Sequence, residues 1–348
     1  MAAGLMPDGS VPFFWTSCFI SFWILHHYEI SDLEHMPNKI ILAGGTGTMG
    51  LILQAHFSEQ GDDVLVLTRR PDLEKRPNVR MIPWDARTLG AWTAELENAD
   101  AVINLAGRSV DCRYTEANKA LILNSRVDAT RVLGEAIAKS KHPPKLWINM
   151  SSATVYRHAE DRPMDEETGE LGTDFSPQVV LAWEKEFFAH KRTGVRQVAV
   201  RCAMVFSRIG GAFPRFAQLT RGGLGGHHAS GQQFVSWVHS ADVEHFFQWI
   251  IDTSGVDGII NLASPNPVRE TVLMAALRDR IKPFVAFNVP KWMLGIGAFF
   301  LRTETELVLK SRRVVPTRAL RLGYRFVRPT ITSALDDLVA ERAQHLNL

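Results

Sequence analysis

The stretch Ile41–Gly50 reads ILAGGTGTMG, and its glycines allow two readings. Gly45-x-Gly47-x-x-Gly50 is the general dinucleotide fingerprint, and Gly44-x-x-Gly47-x-x-Gly50 is a second spacing. The preceding KIILA (Lys39–Ala43) is short, apolar and rich in β-branched residues, as a buried parallel strand should be. The following MGLILQAHFSEQG (Met49–Gly61) carries Leu51, Leu53, His56 and Phe57 at helical spacing and stops on Gly61. Strand, glycine turn and helix together form a nucleotide site: backbone amides approach the pyrophosphate and the helix N-terminus supplies partial positive charge. The expected cofactor contacts here are Gly44, Gly45, Thr46, Gly47, Thr48, Met49 and Gly50.

The same alternation continues outward. DVLVLTRR (Asp63–Arg70) holds a second strand that ends in Thr68, Arg69 and Arg70. An NAD site commonly places an acid there to grip the ribose 2′-hydroxyl, whereas guanidinium groups bind a 2′-phosphate, so NADP (NADPH over NADH) is the expected cofactor. VRMIPWDA (Val79–Ala86) ends a third strand at Asp85, which is expected to meet the adenine. AVINLAG (Ala101–Gly107) is a fourth, whose end at Asn104, Leu105, Ala106 and Gly107 lets the chain pass close to a cofactor. An amphipathic helix over about Thr115–Ser140 shows the periodic set Leu121, Val127, Val132, Leu133, Ala136 and Ile137. KLWINMSS (Lys145–Ser152) gives a fifth strand, with Ser151 on the cofactor side, and RQVAVRC (Arg196–Cys202) a sixth. The pattern implies an α/β fold: a Rossmann-type doubly wound parallel sheet, ligand at the carboxyl ends of its strands. Residues 36–210, completed by about 236–265, would form the nucleotide-binding domain. Residues 211–235 and 266–345 would form a smaller C-terminal domain on the substrate side.

Composition sets the outer bounds. The chain has 348 residues, a formal net charge of +2 and 46% hydrophobic residues, enough for one large or two modest domains. Near balance in charge argues against nucleic acid as a partner, and a small-molecule substrate is expected instead. One basic run stands out: Lys310, Arg312, Arg313, Arg318, Arg321, Arg325 and Arg328, with no acid between them. A solvated face explains such a run; a pocket for an anionic substrate is the alternative. The three cysteines, Cys18, Cys112 and Cys202, form no CxxC pair, which fits a reducing, cytoplasmic setting and no metal site. His227–His228 lacks the spacing and carboxylate company of metal ligands.

VPFFWTSCFISFWIL (Val11–Leu25) is shorter than the roughly 20 apolar residues that span a bilayer, and no Lys or Arg precedes it. Residues 1–35 therefore read as a poorly structured extension, with a membrane anchor or a cleaved signal as alternatives; no membrane partner is expected unless that segment is an anchor. WMLGIGAFFL (Trp292–Leu301) reads as core, with a subunit contact, as in a homodimer, the alternative. Neither a G-x-S-x-G elbow nor a G-x-x-x-x-G-K-[ST] loop occurs, which argues against a serine hydrolase and an NTPase.

GGTGTMG (Gly44–Gly50), INLAG (Ile103–Gly107), SSATVY (Ser151–Tyr156), VRCAMVF (Val200–Phe206) and SWVHSAD (Ser236–Asp242) together resemble the short-chain dehydrogenase/reductase superfamily, in its extended, epimerase-like branch. More narrowly, WDARTLGAW (Trp84–Trp92), SRVDAT (Ser125–Thr130), the GGLGG to SGQQFVSWVH segment (Gly222–His239), VPKWML (Val289–Leu294), TELVLKSRRVVP (Thr305–Pro316) and LGYRFVRPTITSAL (Leu322–Leu335) resemble its atypical epimerase-family members with a C-terminal domain of unknown function. The resemblance covers nearly everything after Met36.

It implies a Tyr-x-x-x-Lys acid/base pair with an upstream serine that polarises the reacting carbonyl. Ser152 matches the serine. The four tyrosines are followed four residues on by Asp32, Asn118, Glu160 and Arg328, so none has its lysine. Aligning SPQVVLAWEKE (Ser176–Glu186) to the usual helix puts Gln178 and Ala182 where the pair would stand. His239 is a candidate replacement because histidine titrates near neutrality. The alternative is that it orients its loop while Asp242 caps the following helix. Tyr156 is implied to belong to the strand-end loop. Glu184 and Lys185 are expected on an exposed charged helix face. Arg113 and Trp237 are the expected substrate contacts, and Arg126, Lys119 and Ser125 fall near the nicotinamide end. The expected function is an NADP-dependent oxidoreductase or epimerase-like enzyme; a catalytically silent NADP(H)-binding protein is the alternative.

Overall fold

The computed structural model describes residues 37–72, 76–293 and 309–345. The N-terminal extension with Cys18, most of the Trp292–Leu301 segment and the start of the Thr305–Pro316 motif lie outside them. Trp292 and Met293 are described, and both side chains are exposed.

Strands β1 (Lys39–Ala43), β2 (Asp63–Thr68), β3 (Val79–Pro83), β4 (Ala101–Asn104), β5 (Leu146–Ser152) and β6 (Arg196–Cys202) fall where their apolar runs predict. With β10 (Gly258–Leu262) they form a seven-stranded sheet in the order β10-β6-β5-β4-β1-β2-β3. Every pairing in it is parallel. The order reverses between β1 and β4, where Ala43 pairs with Asn104, and this switch point opens a crevice at the strand ends. Helices α1 (Thr48–Glu59), α2 (Glu116–Lys139), α3 (Phe175–Ala189) and α5 (Ser240–Asp252) accompany the sheet. Ile40, Leu42, Val64 and Val66 join Leu53, Phe57, Phe246 and Ile250 in one hydrophobic cluster, while Ile41, Leu65 and Val102 join Val132, Leu133 and Phe187 in another. Strand alternation thus feeds two layers, one on each face.

Two expected core positions shift by one residue. Leu51 and Leu121 are exposed, and Ile52 and Ile122 are buried in their place. In α2 the buried set Ala129, Val132, Leu133 and Ala136 fixes the phase, and two turns earlier that phase reaches 122, not 121.

Strands β7 (Met204–Phe206), β8 (Phe234–Val235), β9 (Trp237–His239) and β11 (Val268–Arg269), with helices α4 (Phe213–Arg221), α6 (Glu270–Ile281), α7 (Thr317–Arg321) and α8 (Ile331–His345), follow beyond β6. Phe213, Phe216, Leu273, Leu277, Ile331 and Leu335 gather there in a further cluster. The described residues from Asn38 onward form one compact unit. None of its helices is long and apolar enough to cross a membrane.

Candidate functional site

The glycine turn is built from close approaches. Gly44 has φ +78°, and a Cβ there would stand 2.8 Å from the Ala106 backbone. A Cβ on Gly50 would overlap the Gly45 carbonyl, so α1 starts hard against the turn. Gly47, the N-cap of α1, has open space around it and no side chain caps the helix. The first-turn amides of Thr48, Met49 and Gly50 are therefore available to ligand oxygens, so this cradle fits a diphosphate. The turn between β7 and α4 lies on it, with Gly210 against the Thr48 side chain.

At the end of β2, Thr68 is buried and its hydroxyl accepts the Arg70 N–H at 3.0 Å. Arg69 and Arg70 are exposed, and among the described residues neither meets an acid; Arg70 reaches Thr46 Oγ1 at 3.5 Å. Asp85 accepts from the Thr88 hydroxyl (2.6 Å) and from the Thr88 and Arg87 amides (2.9 Å each), which hold its pKa down to about 2. Its carboxylate shapes its own loop as well as facing out.

On the other side of the switch point, Asn104 is fully buried and spent on structure. Its amide donates to Thr130 and Asn149 at 2.9 Å each, and its oxygen accepts the Ala106 N–H. Leu105 bonds back to the Ala43 carbonyl at 2.8 Å, so the chain through Ala106 and Gly107 runs beside the glycine turn. Ser151 is likewise buried and donates to Glu184 at 2.6 Å.

Ser152 ends β5 half-buried. Its oxygen accepts from the Thr154 amide (3.2 Å) and hydroxyl (3.0 Å), which leaves its own proton for a ligand. It opens into a cavity of about 200 Å³ whose wall includes Thr154, Cys202, Ser236, Glu270, Lys310 and Arg312. Burial pushes the Cys202 thiol up to about 12, so it stays protonated and is no nucleophile. Glu270, fully buried at the start of α6, lies 2.7 Å from His228 Nδ1 and accepts the His228 amide, which pins the Gly222–Gly231 loop.

Several expected roles are corrected. Trp237 does not reach the cavity: it is fully buried, stacks on Phe206 and donates to the Asn266 carbonyl at 3.2 Å. Its neighbour Ser236, between β8 and β9, lines the wall instead, together with Phe234 and Val235. Arg113 is exposed on the loop before α2, outside the cavity wall. His239 is also outside it. The imidazole caps α5, accepting the Ala241 amide at 3.1 Å, and its Nε2 stands 3.3 Å from Asp337; burial pulls its pKa down to about 4. Asp242 does not cap α5 but accepts the Val327 and Arg328 amides, tying down the C-terminal segment.

The basic run is not one solvated face. Lys310 and Arg312 line the cavity, Lys310 also pairing with Asp174, while Arg318, Arg321 and Arg328 pair with Asp257, Glu167 and Asp337. Nor is Glu184 exposed. It is buried and holds Arg201 through two bonds of 2.9 and 2.8 Å; Arg201 donates in turn to Tyr156, whose hydroxyl bonds Asn261. Tyr156 is thus a buried structural group. A signal for this was available: Arg201 interrupts the apolar β6, and a charge in a buried strand requires a partner nearby. Glu270, by contrast, has no such flag in its surroundings.

Comparison with known proteins agrees with this geometry. Residues 40–263 match the NAD dependent epimerase/dehydratase family, and residues 289–338 match a domain of unknown function (DUF1731). Epimerase family protein YfhF of Bacillus subtilis is 30% identical over 308 residues, covering 87% of this chain and 99% of the relative. Epimerase family protein SDR39U1 of Bos taurus is 31% identical over 307 residues, covering 87% of this chain and 100% of the relative. The crystal structure of human SDR39U1 (isoform2) with NADPH superposes with a TM-score of 0.76 at 26% identity, covering 86% of this chain and 99% of that one. With a Rossmann-type sheet, a glycine cradle at its switch point and relatives matched over nearly their whole length, the chain belongs to the NAD dependent epimerase/dehydratase family.

Proposed function

We propose that the chain is an NADP-dependent oxidoreductase acting on a small polar substrate, with the Ser152 hydroxyl polarising the reacting carbonyl. The observation that carries this reading is the Ser152 hydroxyl, which donates to no acceptor among the described residues and faces a cavity of about 200 Å³ at the carboxyl ends of β5 and β6. When bound, the nicotinamide supplies or accepts the hydride. The chain's own groups would do the rest. The amides of Thr48–Gly50 would hold the diphosphate, and Arg69 with Arg70 the 2′-phosphate. NADPH over NADH is supported by those two guanidinium groups, which meet no acid among the described residues, and by the NADPH held by the human relative. Lys310 and Arg312 in the cavity wall, with Glu270 beside them and Lys310 paired to Asp174, favour a substrate that is small and polar.

The purified protein should oxidise NADPH with some member of a panel of small carbonyl and enone acids. Ser152→Ala should then lower kcat on the order of a hundredfold, the usual cost of one transition-state donor, with little change in NADPH affinity.

A second reading, a catalytically silent NADP(H)-binding protein, has its own support. Gln178 turns its amide to the Thr173 carbonyl at 2.8 Å, and Ala182 offers no functional group. Tight NADPH binding with no turnover across the panel would select it.

A further inference from the structure

Arg126, on α2, is a half-buried guanidinium with an open edge. Its Cζ lies 5.3 Å from the ring centroid of Trp183, the residue after Ala182. Its Nη1 donates to the carbonyls of Arg108 (3.1 Å) and Ile122 (3.0 Å). Nε and Nη2 meet no acceptor among the described residues, and no acid pairs with the charge. The guanidinium also abuts Gly107, where a Cβ would come within 3.1 Å of its Cζ. An arginine stays charged in any protein, so removing it partly from water without a counter-charge costs free energy. Stacking on Trp183 offsets part of this cost. A ligand acceptor would offset the rest.

The topology says which ligand. The adenosine end of a dinucleotide runs from β1 toward β2 and β3, where Thr68–Arg70 and Asp85 stand. Its other half must lie over β4 and β5, between Gly107 and Ser152. We infer that Arg126 grips the nicotinamide nucleotide half of the bound cofactor, a cation standing beside the helix position that Ala182 leaves without its lysine. This rests on the proposed nucleotide binding and assigns a residue to it. Arg126 is a positioning residue for the cofactor's reactive end. A side chain at Gly107 would press on the guanidinium and displace it.

The test compares two probes on the full-length protein by calorimetry: NADPH, and adenosine 2′,5′-bisphosphate, which carries the adenosine half alone. Arg126→Gln should weaken NADPH on the order of tenfold or more, the loss of a charge-assisted hydrogen bond, and leave the bisphosphate within about twofold. Arg126→Lys should lose less. A folded Arg126→Gln protein that binds NADPH like the wild type, or that loses both probes equally, overturns the inference. If Arg126→Gln does not fold, Arg126→Lys carries the same comparison, with a loss confined to NADPH in support and an equal or absent loss against. Failure of the wild type to bind either probe would instead sink the nucleotide-binding reading itself.

Discussion

At the scale of single residues, two buried groups control stability rather than chemistry. His239 has its pKa pulled from an unfolded value near 6.5 to about 4. The unfolded chain therefore binds more protons than the native one between those values. Stability from this group is complete above about pH 6.5 and falls as pH drops toward 4, by up to about 3 kcal/mol. Denaturant titrations at pH 7 and pH 5 should show the loss, and His239→Asn, which keeps an N-cap acceptor, should remove most of it; an unchanged slope would contradict the assignment. Glu184→Gln should cost about 3–5 kcal/mol by leaving Arg201 buried with a weakened partner. Adding Arg201→Met should restore part of that stability. The site was legible at this scale only where a residue's role follows from its own neighbours in sequence. Gly44 and Gly50, whose close approaches build the turn, are such cases. Trp237 was not, because the alternation that turns it inward is set by β7 and by α6 packing beside it. Glu270 was not, because its partner His228 is brought to it by the fold.

At the scale of elements, apolar runs bounded by glycine or charge located each central strand from β1 to β6 within a few residues. The helices were legible as helices, but their phase was not. An amphipathic stripe has soft edges, so Leu121 and Ile122 are equally good candidates until α2 is docked on the sheet. The glycine turn makes a prediction at this scale. Gly44→Ala must adopt φ +78° and also push into Ala106, so it should both lower the melting temperature and abolish NADPH binding, measured by thermal shift with and without nucleotide. The end of β2 makes another. Replacing Arg69 and Arg70 together by Ala should reduce the preference for NADPH over NADH on the order of tenfold, read from the two dissociation constants.

At the scale of the whole molecule, the parallel sheet and its switch point follow from strand and helix alternating along the chain, whereas the burial of Asn104 and Ser151 in internal hydrogen bonds does not. The cavity beside Ser152 was not legible, because its wall is assembled from β5, β6, β8, α6 and the segment at 310–312, far apart in sequence. The basic run shows the difference most clearly: Lys310 and Arg312 line the cavity, and Lys310, Arg318, Arg321 and Arg328 each pair with an acid that the sequence alone does not point to. The central claim is that the Gly44–Gly50 cradle and the arginines beyond β2 bind NADP. The most direct measurement is a parallel titration of the full-length protein with NADPH and NADH, followed by calorimetry and by melting temperature. NADPH should bind saturably, at least about tenfold tighter than NADH, with a rise in melting temperature that grows with NADPH concentration. A melting temperature that neither nucleotide moves, or equal affinity for both, would contradict it.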